Sequence, residues 1–199
     1  QPRGAYPDYA AAHVRELISR YRPSVLWNDI SWPEPSRRLA TLLGDYYAAG
    51  HNELLIGKAL AGRKREQAVI SVKFGLMRAP DGSIVGNDVR PAAAKNFLAY
   101  TLRRLGADYV DVYRPGRVFA DVPIEETVGA IGELVEAGYV RHVGLSEVSV
   151  EDLVAAQEIL PIASVQNLYN VANRQSEALL AHCTEHGIGF IPWRPVADH

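Results

Sequence analysis

The sequence predicts an α/β fold of the (β/α) barrel type, built as a single domain over residues 1–199 and left incomplete. Three observations point there. Short β-rich runs alternate with amphipathic helical stretches, the mark of parallel βα units. Gly106, Gly138 and Gly187 each fall where a helix must turn back into a strand. The count of strands is about six, against eight in a closed barrel of ~250 residues, so the barrel lacks roughly a quarter of its wall.

Taken in order, Asp8 after Pro7 caps a first helix in which Val14, Leu17, Ile18 and Tyr21 recur at helical spacing, and Arg22-Pro23 ends it. A strand from Val25 to Asp29 follows. Ser36 opens a second helix with Leu39, Leu42, Leu43 and Tyr46 on one face, and a third runs from Asn52 to Leu60 before Gly62. Strand 68–74 leads into the segment Leu76–Ala92. Its Pro80-Asp-Gly82 signals a turn, and it reads as a connector overhanging the carboxyl ends of the strands.

The remaining expectation is helix 92–105, strand 108–113, helix 123–137, strand 140–146, helix 149–159, strand 163–169, helix 176–186 and strand 189–193. Pro123 followed by Glu125 and Glu126 suits a helix start, and Ser149 with Asp152 forms a capping-box analogue. The terminal strands would expose unpaired edges beside apolar faces. Self-association through those edges, giving a homo-oligomer, is therefore expected.

Composition narrows the function. Hydrophobic residues make up 48% and charged residues 22%, ordinary values for a globular protein. The formal net charge is -2, with no basic run to neutralise a row of phosphates, so nucleic acid is not an expected partner. No stretch approaches the roughly 18 apolar residues of a membrane span, and the start Gln1-Pro-Arg-Gly lacks signal-peptide character, so a cytoplasmic location is the default expectation. The single Cys183 lies in an apolar helical pattern and reads as a packed thiol. His13, His51, His142, His182, His186 and His199 gather at no common rim, so no metal site is expected. The glycines form neither a dinucleotide nor a P-loop fingerprint.

In α/β barrels the reacting groups stand at the carboxyl ends of strands, where Asp29 ends the run Val25-Leu-Trp-Asn-Asp29. The segment Tyr6-Pro-Asp-Tyr9, Val14-Arg-Glu-Leu-Ile18 and Val25-Leu-Trp-Asn-Asp-Ile-Ser-Trp-Pro33 resembles the nucleophile region of retaining α-L-fucosidases. From about residue 48 onward the chain resembles the aldo-keto reductases. The motifs, in shared order, are Gly50-His-Asn-Glu53, Ile70-Ser-Val-Lys-Phe-Gly75, Arg104-Leu-Gly-Ala-Asp-Tyr-Val-Asp-Val-Tyr113, Pro123-Ile-Glu-Glu-Thr-Val-Gly-Ala-Ile131, Val140-Arg-His-Val-Gly-Leu-Ser-Glu147, Val165-Gln-Asn-Leu-Tyr169 and Gly187-Ile-Gly-Phe-Ile-Pro-Trp193. The chain thus reads as a fusion, with residues 1–47 fucosidase-like and 48–199 reductase-like.

The first resemblance implies a retaining glycoside hydrolase of α-L-fucosidase type, able to transfer fucose to an acceptor and needing no cofactor. Asp29 would be its nucleophile, and a second acid ~5 Å away would protonate the leaving oxygen. Glu147, at the end of Gly144-Leu-Ser-Glu147, is the candidate acid, while Trp27, Asn28 and Trp32 would hold a carbohydrate substrate. The second resemblance implies an alternative, an NADPH-dependent reductase. It would use Tyr47 as proton donor beside Lys73, with Ser146, Gln166 and Trp193 on the nicotinamide. That family's Asp position falls on Leu42 and its His position on Gly116. A catalytically silent scaffold is the third reading.

Overall fold

The computed structural model describes residues 51–62, 65–81, 83–119 and 121–195. Helix α1 spans His51–Leu60 and a single 3-10 turn follows at Arg65–Gln67. The chain then runs β1 (Ser71–Phe74), β2 (Leu76–Arg78), β3 (Ile84–Asn87), α2 (Pro91–Leu105), β4 (Val110–Pro115) and α3 (Ile124–Glu136). It continues through β5 (Val140–Ser146), α4 (Val150–Gln157), β6 (Ile162–Leu168), α5 (Glu177–Glu185) and β7 (Gly189–Trp193). Strands β1, β4, β5, β6 and β7 form a parallel sheet in that order. The sheet is five-stranded among the described residues, consistent with part of a (β/α) barrel. The expected strand 25–29 and the first two helices lie outside the described residues.

Local chemistry explains where the helices stop and start. Gly106 takes a left-handed φ of 61° and its N–H returns to Leu102 O, closing α2 in a conformation that costs glycine nothing. Ser149 Oγ accepts from Asp152 N at 3.1 Å while the Asp152 carboxylate accepts from Ser149 N at 2.9 Å, so the capping box at α4 is complete. Helices α1 and α2 meet closely: a Cβ on Gly57 would stand 2.7 Å from Leu105 O. Thr101 and Arg104 of α2 both donate to Glu53 of α1.

The segment 76–92 differs from the expected connector, because it contains the antiparallel hairpin β2–β3, with Leu76 opposite Asn87 and Met77 opposite Gly86. Asp81 Oδ1 accepts from both Ser83 N and Ser83 Oγ, fixing the tip, and Asp88 N donates to Gly75 O at its base.

Side chains alternate across each strand, so the sheet has two faces of different character. One carries Phe74, Tyr113, Val143, Leu145 and Val165, all buried in the core against the helices. Tyr113 stacks on Phe74 at 4.4 Å and donates its hydroxyl to Ala94 O of α2. The other face carries Ser71, Lys73, Arg114, Gly144, Ser146, Ser164 and Gln166, and is polar. No described helix is long and apolar enough to cross a membrane.

Candidate functional site

The polar face is organised around Arg114. The residue is 3% exposed and its guanidinium lies over β5, where Gly144 has no side chain; a Cβ there would stand 3.1 Å from Arg114 Nε. With that path open, Arg114 Nη2 donates to Ser71 Oγ on β1 at 3.2 Å and to Ser164 Oγ on β6 at 3.0 Å. One side chain thereby braces four adjacent strands. Burial lowers its pKa to about 10, so it remains a cation at neutral pH. Nothing in the sequence reading singled it out, although an arginine inside the apolar run Val110-Asp-Val-Tyr-Arg-Pro115 was the available signal.

At the carboxyl ends of the strands is an open cleft of about 200 Å³ lined by Lys73, Gly116, Arg117, Ser146, Glu147 and Trp193. Lys73 comes from β1, Gly116 and Arg117 follow β4, Ser146 ends β5 and Trp193 ends β7. Gln166 is the register partner of Ser146 on β6 and is buried beside it. The three residues expected on a nicotinamide, Ser146, Gln166 and Trp193, are therefore brought together with Lys73, the lysine expected beside Tyr47. Ser146 Oγ is fully buried and has no hydrogen-bond partner among the described residues. Gln166 is 7% exposed.

Glu147 follows Ser146 with a left-handed φ of 55°. Its N–H donates to Gln166 O, while its Oε1 accepts from Leu168 N at 3.1 Å and from the Trp193 indole N–H. A non-glycine residue in this conformation stores strain that its surroundings must hold. Here the hydrogen bonds to β6 and β7 do so, and they hold Trp193 in the cleft wall. Asp29, Trp27, Asn28, Trp32, Tyr47 and Leu42 lie outside the described residues.

Among the described residues no group of three or more His, Cys, Asp or Glu side chains is placed to hold a metal ion. His182 and His186 stack on each other at 4.0 Å. The ring Nε2 of His182 faces Gln157 Oε1, and that of His186 turns its Nδ1 to His182 O.

Comparison with known proteins gives a consistent answer. The model of the aldo/keto reductase family matches residues 43–198. A probable aldo-keto reductase of Glycine max is 41% identical over 155 residues, covering 76% of this chain and 44% of that protein. The solved holo form of an aldo-keto reductase from Bacillus halodurans matches with a TM-score of 0.64 and 32% identity, covering 74% of this chain and 49% of that one. An aldo/keto reductase from Klebsiella pneumoniae, solved with NADP and acetate, matches with a TM-score of 0.60 and 30% identity, covering 75% of this chain and 50% of that one. The chain spans about half the length of the curated relatives it matches.

These findings overturn the fucosidase reading, and with it the hydrolase activity, the transfucosylation and the lack of a cofactor that it implied. The family match reaches back to residue 43, and the relatives are oxidoreductases. Glu147, the expected acid of a glycosidase pair, sits in the cleft wall with its Oε1 accepting from the Leu168 and Trp193 N–H groups. The string Trp27-Asn-Asp-Ile-Ser-Trp32 was a local match, and a fold shared across many chemistries gave it no support.

Proposed function

The chain belongs to the aldo/keto reductase family, and from that premise we propose that the cleft between Lys73 and Trp193 serves NADPH-dependent reduction of a carbonyl compound. The observation carrying this reading is the buried Ser146 Oγ, which lies beside Gln166 and has no hydrogen-bond partner among the described residues. A buried hydroxyl without a partner is costly, and a carboxamide needs just such a donor and acceptor pair from its host. The residues present therefore fit a nicotinamide: Ser146 and Gln166 take its carboxamide, and Trp193 at the end of β7 covers its ring.

When bound, NADPH supplies a hydride to the carbonyl carbon. The protein must then place a proton on the carbonyl oxygen, which completes the alcohol. In this reading Tyr47 delivers that proton, and Lys73, at the end of β1 in the cleft, favours the phenolate left behind by its positive charge. Glu147 acts through Trp193, holding the indole in place. Gly116, where the family's His would stand, leaves the carbonyl to be oriented by Lys73 and the cleft walls.

Two measurements test the proposal. Titration with NADPH, read by nicotinamide fluorescence, should show saturable binding that Ser146→Ala weakens by about fivefold, the loss expected for one hydrogen bond. Lys73→Met should lower carbonyl reduction by about 100-fold or more, the scale of a group that supports proton transfer. Absence of NADPH binding in the folded wild type would remove the reductase reading and leave a catalytically silent scaffold.

A further inference from the structure

Glu147 is a carboxylate held in the cleft by uncharged partners. Its Oε1 accepts from the Leu168 N–H at 3.1 Å and from the Trp193 indole N–H, and its own N–H donates to Gln166 O. Among the described residues Glu147 forms no ion pair. The other charged residues at the cleft are cations, for Lys73 and Arg117 line it and Arg194 lies over the Trp193 ring at 5.2 Å.

Position sets Glu147 apart from Lys73 and Arg117. It directly follows Ser146, and its three hydrogen bonds run to β6 and β7, the strands that present Gln166 and Trp193. Lys73 stands on β1, with β4 between it and β5. Arg117 follows β4. A ring seated on Ser146, Gln166 and Trp193 would therefore lie on the carboxylate's side of the cleft. In a concave and partly desolvated site one charge acts on another at an effective dielectric well below that of water. A charged acceptor also polarises the indole N–H, which leaves the ring face more attractive to a cation.

Reduction of a carbonyl passes a hydride from the reduced nicotinamide to the carbonyl carbon and a proton from Tyr47 to the carbonyl oxygen, giving the alcohol and a nicotinamide ring with one positive charge. The two forms of the cofactor thus differ at the ring by a single charge. From the placement of an unpaired carboxylate on Trp193, we infer that Glu147 is a positioning residue that sets the balance between them. Its charge holds the oxidised form more tightly than the same site would without it, which makes bound NADPH the stronger hydride donor. This inference rests on the reductase reading above and adds to it the residue that tunes the cofactor.

Isothermal titration of the full chain with NADPH and, separately, with NADP+ tests it in the wild type and in E147Q. The phosphates are common to both ligands, so they cancel in the ratio of the two dissociation constants. Gln keeps the length of the side chain and an oxygen for the indole N–H, and removes only the charge. E147Q should weaken NADP+ about fivefold more than NADPH, the scale of one charge acting across a partly solvated cleft. A residue that merely packed the wall would weaken both ligands alike.

W193F keeps an aromatic ring and removes the N–H that holds the carboxylate, so it should move the ratio in the same direction. Circular dichroism confirms folding, and W193F carries the test where E147Q does not fold. An unchanged ratio in the folded variant, with both cofactors still bound by the wild type, would overturn this inference alone. If the folded wild type binds neither cofactor, the reductase reading fails and takes the inference with it.

Discussion

Asp111 shows how a single residue couples the amino-terminal end of the sheet to solvent pH. It accepts from Ile70 N at 2.7 Å, Arg65 Nη2 at 2.6 Å and Arg141 Nη1 at 3.2 Å, and both arginines lie over the Tyr109 ring, at 4.2 and 3.9 Å. Burial pushes the Asp111 carboxyl up, but the Ile70 N–H and the two guanidinium groups together pull it further down, leaving it below the ordinary carboxylate value. With the folded value below the unfolded one, its stabilisation is complete above roughly pH 4 and is lost as pH falls through the folded value. Asp111→Asn should therefore cost about 2 kcal/mol at pH 7 and flatten the acid limb of stability against pH. Urea titrations at several pH values measure both, and an unchanged acid limb would count against this role. This cluster is not legible in the sequence, because its members are scattered from position 65 to position 141 and meet only when β1, β4 and β5 pair.

The elements separate what local chemistry dictates from what pairing decides. Helices α2 to α5 and strands β5 and β7 were readable, since apolar periodicity and the glycines at 106, 138 and 187 mark their ends directly. The capping box of α4 was readable for the same reason. Ser149→Ala should remove one of its two bonds and lower stability by about 1 kcal/mol, seen as a lower midpoint in thermal melts followed by circular dichroism. An unchanged midpoint would mean that water replaces the cap without loss. The β2–β3 hairpin was missed, although Pro80-Asp-Gly82 between Leu76-Met-Arg78 and Ile84-Val85 has the form of one. Each strand is too short for its alternation to stand out, and each gains definition only from the other. The convergence of Lys73, Ser146 and Trp193 on one cleft, with Gln166 beside Ser146, follows the order of motifs in the family resemblance. The same method misled at Asp29, where a short string with no neighbouring support outweighed a longer ordered series of motifs.

Across the whole molecule, one apolar layer between the sheet and its helices holds the described residues together, and Cys183 lies within it at 0% exposure. Burial raises the pKa of this thiol, which leaves it poorly nucleophilic as well as inaccessible. It is the only cysteine in the sequence, so its labelling reports on the packing of α5 against the sheet. In the native protein a thiol reagent should react slowly, and reactivity should rise over the same denaturant range in which helical dichroism is lost. Labelling that precedes the dichroism change would show that the corner formed by α5 and β7 opens on its own.

The contrast between the two faces of the sheet also limits how the strands can align. Sliding β5 by one residue would aim Val143 and Leu145 into a hydrophilic trough and thrust His142 and Gly144 under the helices. In that misalignment the long arm of Arg114 would run into a branched side chain where it now crosses bare backbone, and its reach to Ser164 would be blocked. The arginine thus proofreads the assembly of the wall it spans, admitting the one alignment that also builds the pocket above it.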